Sequence, residues 1–359
     1  MRPPVRLAAF FAALLSIPAA LNAPRAEAFA KPRPKDDGRP KALMVSLGDS
    51  LTVGAMSDTS LPKQSSDVAA LSIEPGTRAY PLILPKGVSE SQIKASDVEA
   101  KMIWDNKNTY SWATGNRVFG HAPRLVSHSY GSSSPIALEA KNFAVNGSRV
   151  NNMIGQAKKV LREAQSGKYT HVEYVTMLIG ANDVCAKGGS EGTPGEKMRD
   201  SYFATLDILA SIPQAQPIKI LMTTILPAYE LGRPEIRNAR SIFGMKCSKL
   251  RDGLFQYCNR LTTWNDEAGR LKAKDLVDRR NIMIREVVAE AKVRYAGRLD
   301  IYLADAWDRV ALTRDLLSLD CFHPNATGQR LISGLMWLEQ PWYLPPPSGA
   351  LRPVVLDHP

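Results

Sequence analysis

What most constrains this chain is a rhythm: five short apolar runs, separated by segments whose apolar residues recur at helical spacing. Ala42 to Leu47, Phe143 to Val145, Val172 to Ile179, Ile218 to Ile225 and Leu299 to Leu303 read as strands buried on both faces. Between them, Val150, Met153, Ile154, Ala157, Val160, Leu161 and Ala164 trace one face of a helix. A second helix is expected near Tyr202 to Ala210, and a third carries Ile284, Val287, Val288, Ala291 and Tyr295 on one side. A last helix opens after Pro324, with Leu331, Leu335 and Leu338 expected to face inward. Strands that alternate with helices specify an α/β fold, here a five-stranded, mostly parallel sheet between two helical layers. The chain has 359 residues, 44% of them apolar and 23% charged, which is enough to bury such a core. That balance excludes a collagenous, disordered or multi-span membrane protein. One domain is expected over 42–340, broken by a turn-rich insert, 55–140, that carries Trp104, Tyr110, Trp112 and Tyr130. The tail, 341–359, holds six prolines and is expected to be extended rather than packed.

Residues 1–28 read as an export signal. Arg2 and Arg6 flank the start of an apolar run, Leu7 to Leu21, and Ala26-Glu27-Ala28 supplies small residues where a signal peptidase reads. The run is short for a membrane span, and Pro18 interrupts it. A polar linker, 29–41, follows. In a secreted or periplasmic chain, Cys185, Cys247, Cys258 and Cys321 are candidates for two disulfides, with three possible pairings. Neither their spacing nor the five histidines form a zinc pattern, and no cofactor is expected. The formal charge is +11, and Leu231 to Arg298 holds 16 Lys and Arg against 8 Asp and Glu. That excess favours anionic partners, an anionic membrane surface among them. No finger spacing or helix-turn-helix pattern accompanies it, so nucleic acid is not an expected partner.

Four motifs lie where an open α/β sheet builds its sites. Gly48-Asp49-Ser50-Leu51 follows the first run and can present the Ser50 hydroxyl, and its own N–H, at the carboxyl edge. Asn146-Gly147-Ser148 follows the second, and Gly147 lets a backbone N–H approach a ligand closely. Gly180-Ala181-Asn182-Asp183 follows the third and offers the Asn182 amide as a donor. Asp320-Cys321-Phe322-His323 lies after the fifth run, just before the last helix. A carboxylate three residues before an imidazole can accept its Nδ1–H and leave Nε2 to take a hydroxyl proton.

In order and spacing these blocks resemble the SGNH (GDSL) hydrolase superfamily. The segments Asn142-Phe143-Ala144-Val145-Asn146-Gly147, Ile179-Gly180-Ala181-Asn182-Asp183-Val184-Cys185, Asp320-Cys321-Phe322-His323-Pro324 and Ser111-Trp112-Ala113-Thr114-Gly115 are similar to its phospholipase B-like branch. The resemblance implies a flavodoxin-like three-layer α/β/α domain and an exported serine esterase or lipase. It makes Ser50 the nucleophile, His323 the general base and Asp320 its orienter. The oxyanion hole would combine the N–H groups of Ser50 and Gly147 with the Asn182 side chain. These roles agree with elementary chemistry: a serine hydroxyl needs a positioned base, and charge developing on a carbonyl oxygen needs preorganised donors. Acyl esters of lipids, phospholipids and lysophospholipids included, are the substrates this implies. A carbohydrate O-acyl or O-acetyl esterase would use the same residues. A non-catalytic lipid- or glycan-binding protein on the same fold is the less favoured third reading.

Other features have plainer readings. Asp49 and Asp183 are expected to stabilise turns rather than act as acids. His121, His128, His171 and His358 have no partner motif. Gly188-Gly189-Ser190-Glu191-Gly192 matches the nucleophile elbow of another hydrolase fold, but no strand leads directly into it and no apolar helix follows. It reads as a loop. The sequons at Asn146 and Asn325 lie within these blocks and are expected to stay unglycosylated. Cys185 is three residues from Asn182 and Cys321 two from His323, so a bridge between them would lock the oxyanion donor to the base. Cys247 and Cys258 would then close a local loop, and this is the pairing expected.

Overall fold

A computed structural model describes residues 38–57, 61, 111–114, 120–186, 192–241, 244–305, 307 and 312–343. The expected export signal, most of the linker, Trp104 and Tyr110 of the insert, Ser190, His358 and the tail beyond Tyr343 lie outside the described residues. The chain divides into two units, Met1–Arg39 and Pro40–Pro359, and every element named here belongs to the second.

Five strands, β1 (Lys41–Gly48), β2 (Ala137–Asn142), β3 (His171–Leu178), β4 (Ile218–Thr223) and β5 (Leu299–Ala304), form one sheet in the order β2-β1-β3-β4-β5. Every pairing is parallel. This is the flavodoxin-like order, and it has a physical consequence. The chain leaves β1 toward β2 on one side and returns to β3 on the other, so a crevice opens at the carboxyl ends of β1 and β3.

The central strands form because continuous apolar runs are stable only when both faces are covered. In β1 every residue from Ala42 to Gly48 is buried, and in β3 only His171 and Glu173 are partly exposed. The second strand differs from the sequence expectation. It is Ala137–Asn142, not Phe143 to Val145. As the edge strand it is half-buried throughout, so Leu138 and Ala140 alternate with Glu139 and Lys141 and no apolar run marks it. Phe143 and Val145 still donate backbone N–H bonds to Ser46 and Gly48, at 2.9 and 3.1 Å, which carries the chain along β1 to the Asn146 turn.

Helices α1 (Ser50–Val53), α2 (His121–Ser129), α3 (Met153–Ala164), α4 (Ala181–Val184), α5 (Gly195–Ala210), α6 (Pro234–Arg237), α7 (Asn259–Thr262), α8 (Glu267–Arg294) and α9 (Ala326–Glu339) connect and cover the sheet. α3, α5 and α8 pack side by side along one layer. On the opposite layer α2 and α9 meet through His121 and Trp337, with Tyr174 of β3 stacked on His121. His121 is fully buried: its Nε2–H donates to the Ser333 carbonyl at 3.1 Å and its Nδ1 accepts the Tyr174 hydroxyl at 3.0 Å. Burial pushes this imidazole down to about 3, so it packs as a neutral group.

α9 also corrects an expectation. Its inward face is Ile332, Ser333, Met336 and Trp337, while Leu331 and Leu335 are only partly buried and Leu338 is 62% exposed. The inward phase carries polar residues with assigned partners. Gln329 accepts the Trp112 N–H and donates to the Leu51 carbonyl, at 3.0 Å each, and these bonds outweigh the leucine pattern.

Part of the basic stretch forms ion pairs on α8. Arg270 meets Glu267 and Glu230, Lys274 meets Asp278, Arg279 meets Asp275, Arg285 meets Asp305 and Arg294 meets Asp207. Among the described residues, no helix is long and apolar enough to cross a membrane.

Candidate active site

The site starts at a glycine that cannot be replaced. Gly48 has φ +152, and a Cβ there would press into the Leu178 carbonyl and the Thr52 side chain. The chain turns at once into α1, where the Asp49 carboxylate caps the helix by accepting the Leu51 N–H at 3.0 Å. Ser50 is the next residue, 9% exposed at the mouth of the crevice.

Asp320 and His323 arrive from sixteen residues beyond β5, on the turn that leads into α9. A bridge between Leu317 and Pro324 closes this turn, and Ser318 donates both its N–H and its hydroxyl to the His323 carbonyl. Asp320 Oδ1 accepts the N–H groups of Phe322 and His323 at 3.0 Å each. Its Oδ2 lies 2.5 Å from His323 Nδ1, and His323 Nε2 lies 2.8 Å from Ser50 Oγ. A carboxylate can only accept, so the imidazole proton is on Nδ1 and Nε2 faces the serine as an acceptor.

The other two motifs close around the same point. Asn146 and Gly147 sit in a turn fixed by a 3.1 Å bond from the Ser148 N–H to the Val145 carbonyl, with Gly147 in the left-handed region at φ +72. Asn182 lies in the first turn of α4, and its Nδ2 donates to the Ser148 carbonyl at 3.0 Å and lies 3.4 Å from Asp49 Oδ2. The amide therefore rests between the turn of Gly147 and the turn of Ser50. Among the described residues no hydrogen bond takes up the N–H of Ser50 or of Gly147. A cavity of 310 Å³ opens at the Gly147 turn, lined by Val145, Asn146, Gly147, Gly155, Gln156 and Lys159 among others.

Two residues that sequence reasoning passed over hold these turns. Gln156 of α3 and Gln329 of α9 are buried amides bonded to the backbone of Gly48 and Leu51. Their only sequence signal is a polar residue at an inward position of an amphipathic helix. Asp183 has a plainer role than its place in a motif suggests: its Oδ2 accepts the Val150 N–H at 2.9 Å, just ahead of α3. Asn325 Oδ1 caps α9 through the Gly328 N–H, and its Nδ2 donates to two carbonyls, which leaves no free amide at that sequon.

The disulfides differ from expectation. The bonds are Cys185–Cys258 and Cys247–Cys321, with Cα separations of 4.6 and 5.5 Å, not Cys185–Cys321 and Cys247–Cys258. The reason is the segment between the two middle cysteines. Residues Ser248–Phe255 form a π-helix, a widened coil that is uncommon at this length. Cys247 precedes it and Cys258 follows it, each bonded to a different motif. The segment's end carries Phe255 and Tyr257, stacked at 5.0 Å, and Tyr257 and Phe322 flank the His323 ring at 6.0 and 5.1 Å.

Asp49 is 1% exposed. Burial pushes its carboxyl up to about 7, with Asp183 adding to the shift against the Leu51 N–H and His323. An unfolded carboxyl has its ordinary value, 3.8. Between those values unfolding releases a proton, so this group's stabilisation is complete at low pH and is lost as pH rises through the folded value. Asp49→Asn keeps the cap but cannot ionise. Urea unfolding across that range should move in the variant's favour with rising pH, by up to about 4 kcal/mol, and level off near neutrality. A difference independent of pH would mean that Asp49 is ionised in the folded protein.

A serine, an imidazole and a carboxylate bonded in series at the switch point of a parallel sheet define a serine hydrolase of SGNH architecture. Residues 44–335 match the family model described as GDSL-like lipase/acylhydrolase. The chain belongs to that family, and it is a serine hydrolase acting on carboxylic ester bonds. No curated protein matches it. Among solved structures it is similar to a psychrotrophic esterase, EstA, from Pseudoalteromonas sp., with 15% identity, 83% of this chain and 95% of that one covered, and a TM-score of 0.38. It is also similar to an extracellular lipase from Streptomyces rimosus, with 14% identity, coverages of 83% and 100%, and a TM-score of 0.40. An acetyl xylan esterase, AlAXEase, gives 14% identity, coverages of 82% and 98%, and a TM-score of 0.38.

Proposed function

We propose that the protein is an exported esterase or lipase of the phospholipase B-like branch. It hydrolyses acyl esters of lipids, phospholipids and lysophospholipids included, through an acyl-enzyme on Ser50. The observation that carries this reading is the series from Ser50 Oγ through His323 to Asp320, with steps of 2.8 and 2.5 Å. His323 Nε2 removes the Ser50 proton as Oγ attacks the ester carbonyl, and Asp320 stabilises the imidazolium that forms. The N–H groups of Ser50 and Gly147 and the Asn182 amide take the negative charge on the carbonyl oxygen. His323 then gives its proton to the departing alcohol. Water activated by the same nitrogen releases the acid and regenerates Ser50.

The lipid assignment is supported by the branch-like segments around Asn146, Asn182 and His323, and by the aromatic surface of Phe255, Tyr257 and Phe322 beside the base. Export is supported by the apolar N-terminus with its Ala26-Glu27-Ala28 exit and by two disulfides. The net charge of +11 adds peripheral contact with an anionic lipid surface, although α8 pairs Lys274 and Arg279 with its own carboxylates and Arg294 with Asp207 of α5.

The test is labelling with a fluorophosphonate, followed by peptide mapping and a hydrolysis panel of phospholipid, lysophospholipid, triglyceride and acetylated sugar. Labelling of Ser50 with turnover of the phospholipid substrates is the expected result. Labelling with turnover of the acetylated sugar alone would transfer the assignment to a carbohydrate esterase. A protein that neither labels nor hydrolyses would be a binding protein on this fold.

A further inference from the structure

We infer that Gln156 is a positioning residue that holds the Ser50 turn in register with the oxyanion turns, an inference that rests on the catalytic reading above. Gln156 lies on the buried face of α3 with Met153, Ala157 and Val160 and is 3% exposed. An amide is costly at such a place unless every group on it is bonded. Here each has a partner. Oε1 accepts the Gly48 N–H at 2.8 Å, and Nε2 donates to the Gly48 carbonyl at 2.9 Å and to Ser148 Oγ at 3.2 Å.

The first two bonds grip the peptide groups on both sides of one α-carbon. Gly48 has no side chain to restrain it and holds an unusual φ two residues before Ser50. Fixing both flanking peptides fixes φ and ψ of Gly48, which set the direction in which the chain enters the turn of Asp49 and Ser50. The third bond reaches the neighbouring turn. Ser148 follows Gly147, and its carbonyl accepts the Asn182 amide at 3.0 Å. One side chain thus bonds the turns that carry Ser50 and Gly147, and meets the Asn182 amide through Ser148, while having no part in proton transfer. It sets their spacing, and a displacement of about 1 Å at such a site costs on the order of 100-fold in rate.

The experiment compares the parent, Gln156→Met and Ser148→Ala on a 4-nitrophenyl acyl ester, with competent sites counted by phosphonate titration. A merely structural role for Gln156 would lower the titrated fraction and Tm but leave each surviving site at full speed. The positioning role predicts that kcat per titrated site falls about 10- to 100-fold in Gln156→Met, with KM changed less than about threefold. Ser148→Ala should lower kcat per site less, and the double variant should be no slower than Gln156→Met, because the Ser148 bond acts through the same amide. Parental kcat per titrated site in Gln156→Met overturns the inference. If that variant does not fold, parental kcat per site in Ser148→Ala overturns it instead. Failure of the parent itself to titrate at Ser50 would count against the catalytic reading, not against Gln156 alone.

Discussion

Ser50→Ala is expected to lower kcat on any acyl ester the protein turns over on the order of 10⁶-fold. The loss is large because the serine and its base act as one unit. Without the hydroxyl, His323 Nε2 has no nucleophile to deprotonate and only the donors around the carbonyl oxygen remain useful. The variant should fold normally, since the side chain loses a single 2.8 Å bond and Asp49 still caps α1. Steady-state kinetics beside a thermal melt read both quantities. Activity within about tenfold of the parent would remove Ser50 from the reaction. Ser190→Ala is the control and should be unaffected.

The second large effect belongs to Asp320. Asp320→Asn should lower kcat about 10⁴-fold with little change in KM. The replacement keeps an oxygen for the N–H groups of Phe322 and His323, which hold the turn at 3.0 Å. Toward the ring it can instead present an NH₂ group, which favours the tautomer with its proton on Nε2. That nitrogen would then donate to Ser50 rather than accept from it. Kinetics of the variant across pH, with the melt as a fold control, check this. A loss below about tenfold would mean that the imidazole is oriented by other contacts.

Much of this arrangement was legible before any coordinates. β1 and β3 announce themselves because they are central strands buried on both faces, and three of the four motifs sit within a few residues of the strands that present them. At α9 and Gln156 residue identity reports on hydrogen bonding more than on solvent exposure, whereas β2 and the cysteine pairing differ for other reasons. β2 lies at the sheet edge, where Glu139 and Lys141 break the apolar run. Leucines at 331, 335 and 338 suggest one face of α9, but the inward face is set by Gln329, whose amide serves buried partners. Gln156 escaped for the same reason, as a buried polar residue reads as surface when its partners lie far away in sequence. The cysteine pairing depended on the geometry of a π-helix that no local pattern encodes.

The two crosslinks have one more implication. They join residues 185 to 258 and 247 to 321, so the covalent rings interlock rather than nest, and both enclose the stretch from Cys247 to Cys258. That stretch delivers the rings beside the imidazole. Cutting either sulfur bond still leaves the same stretch moored at its other end, so four sulfur atoms guard one rim of the cleft twice instead of guarding two rims once.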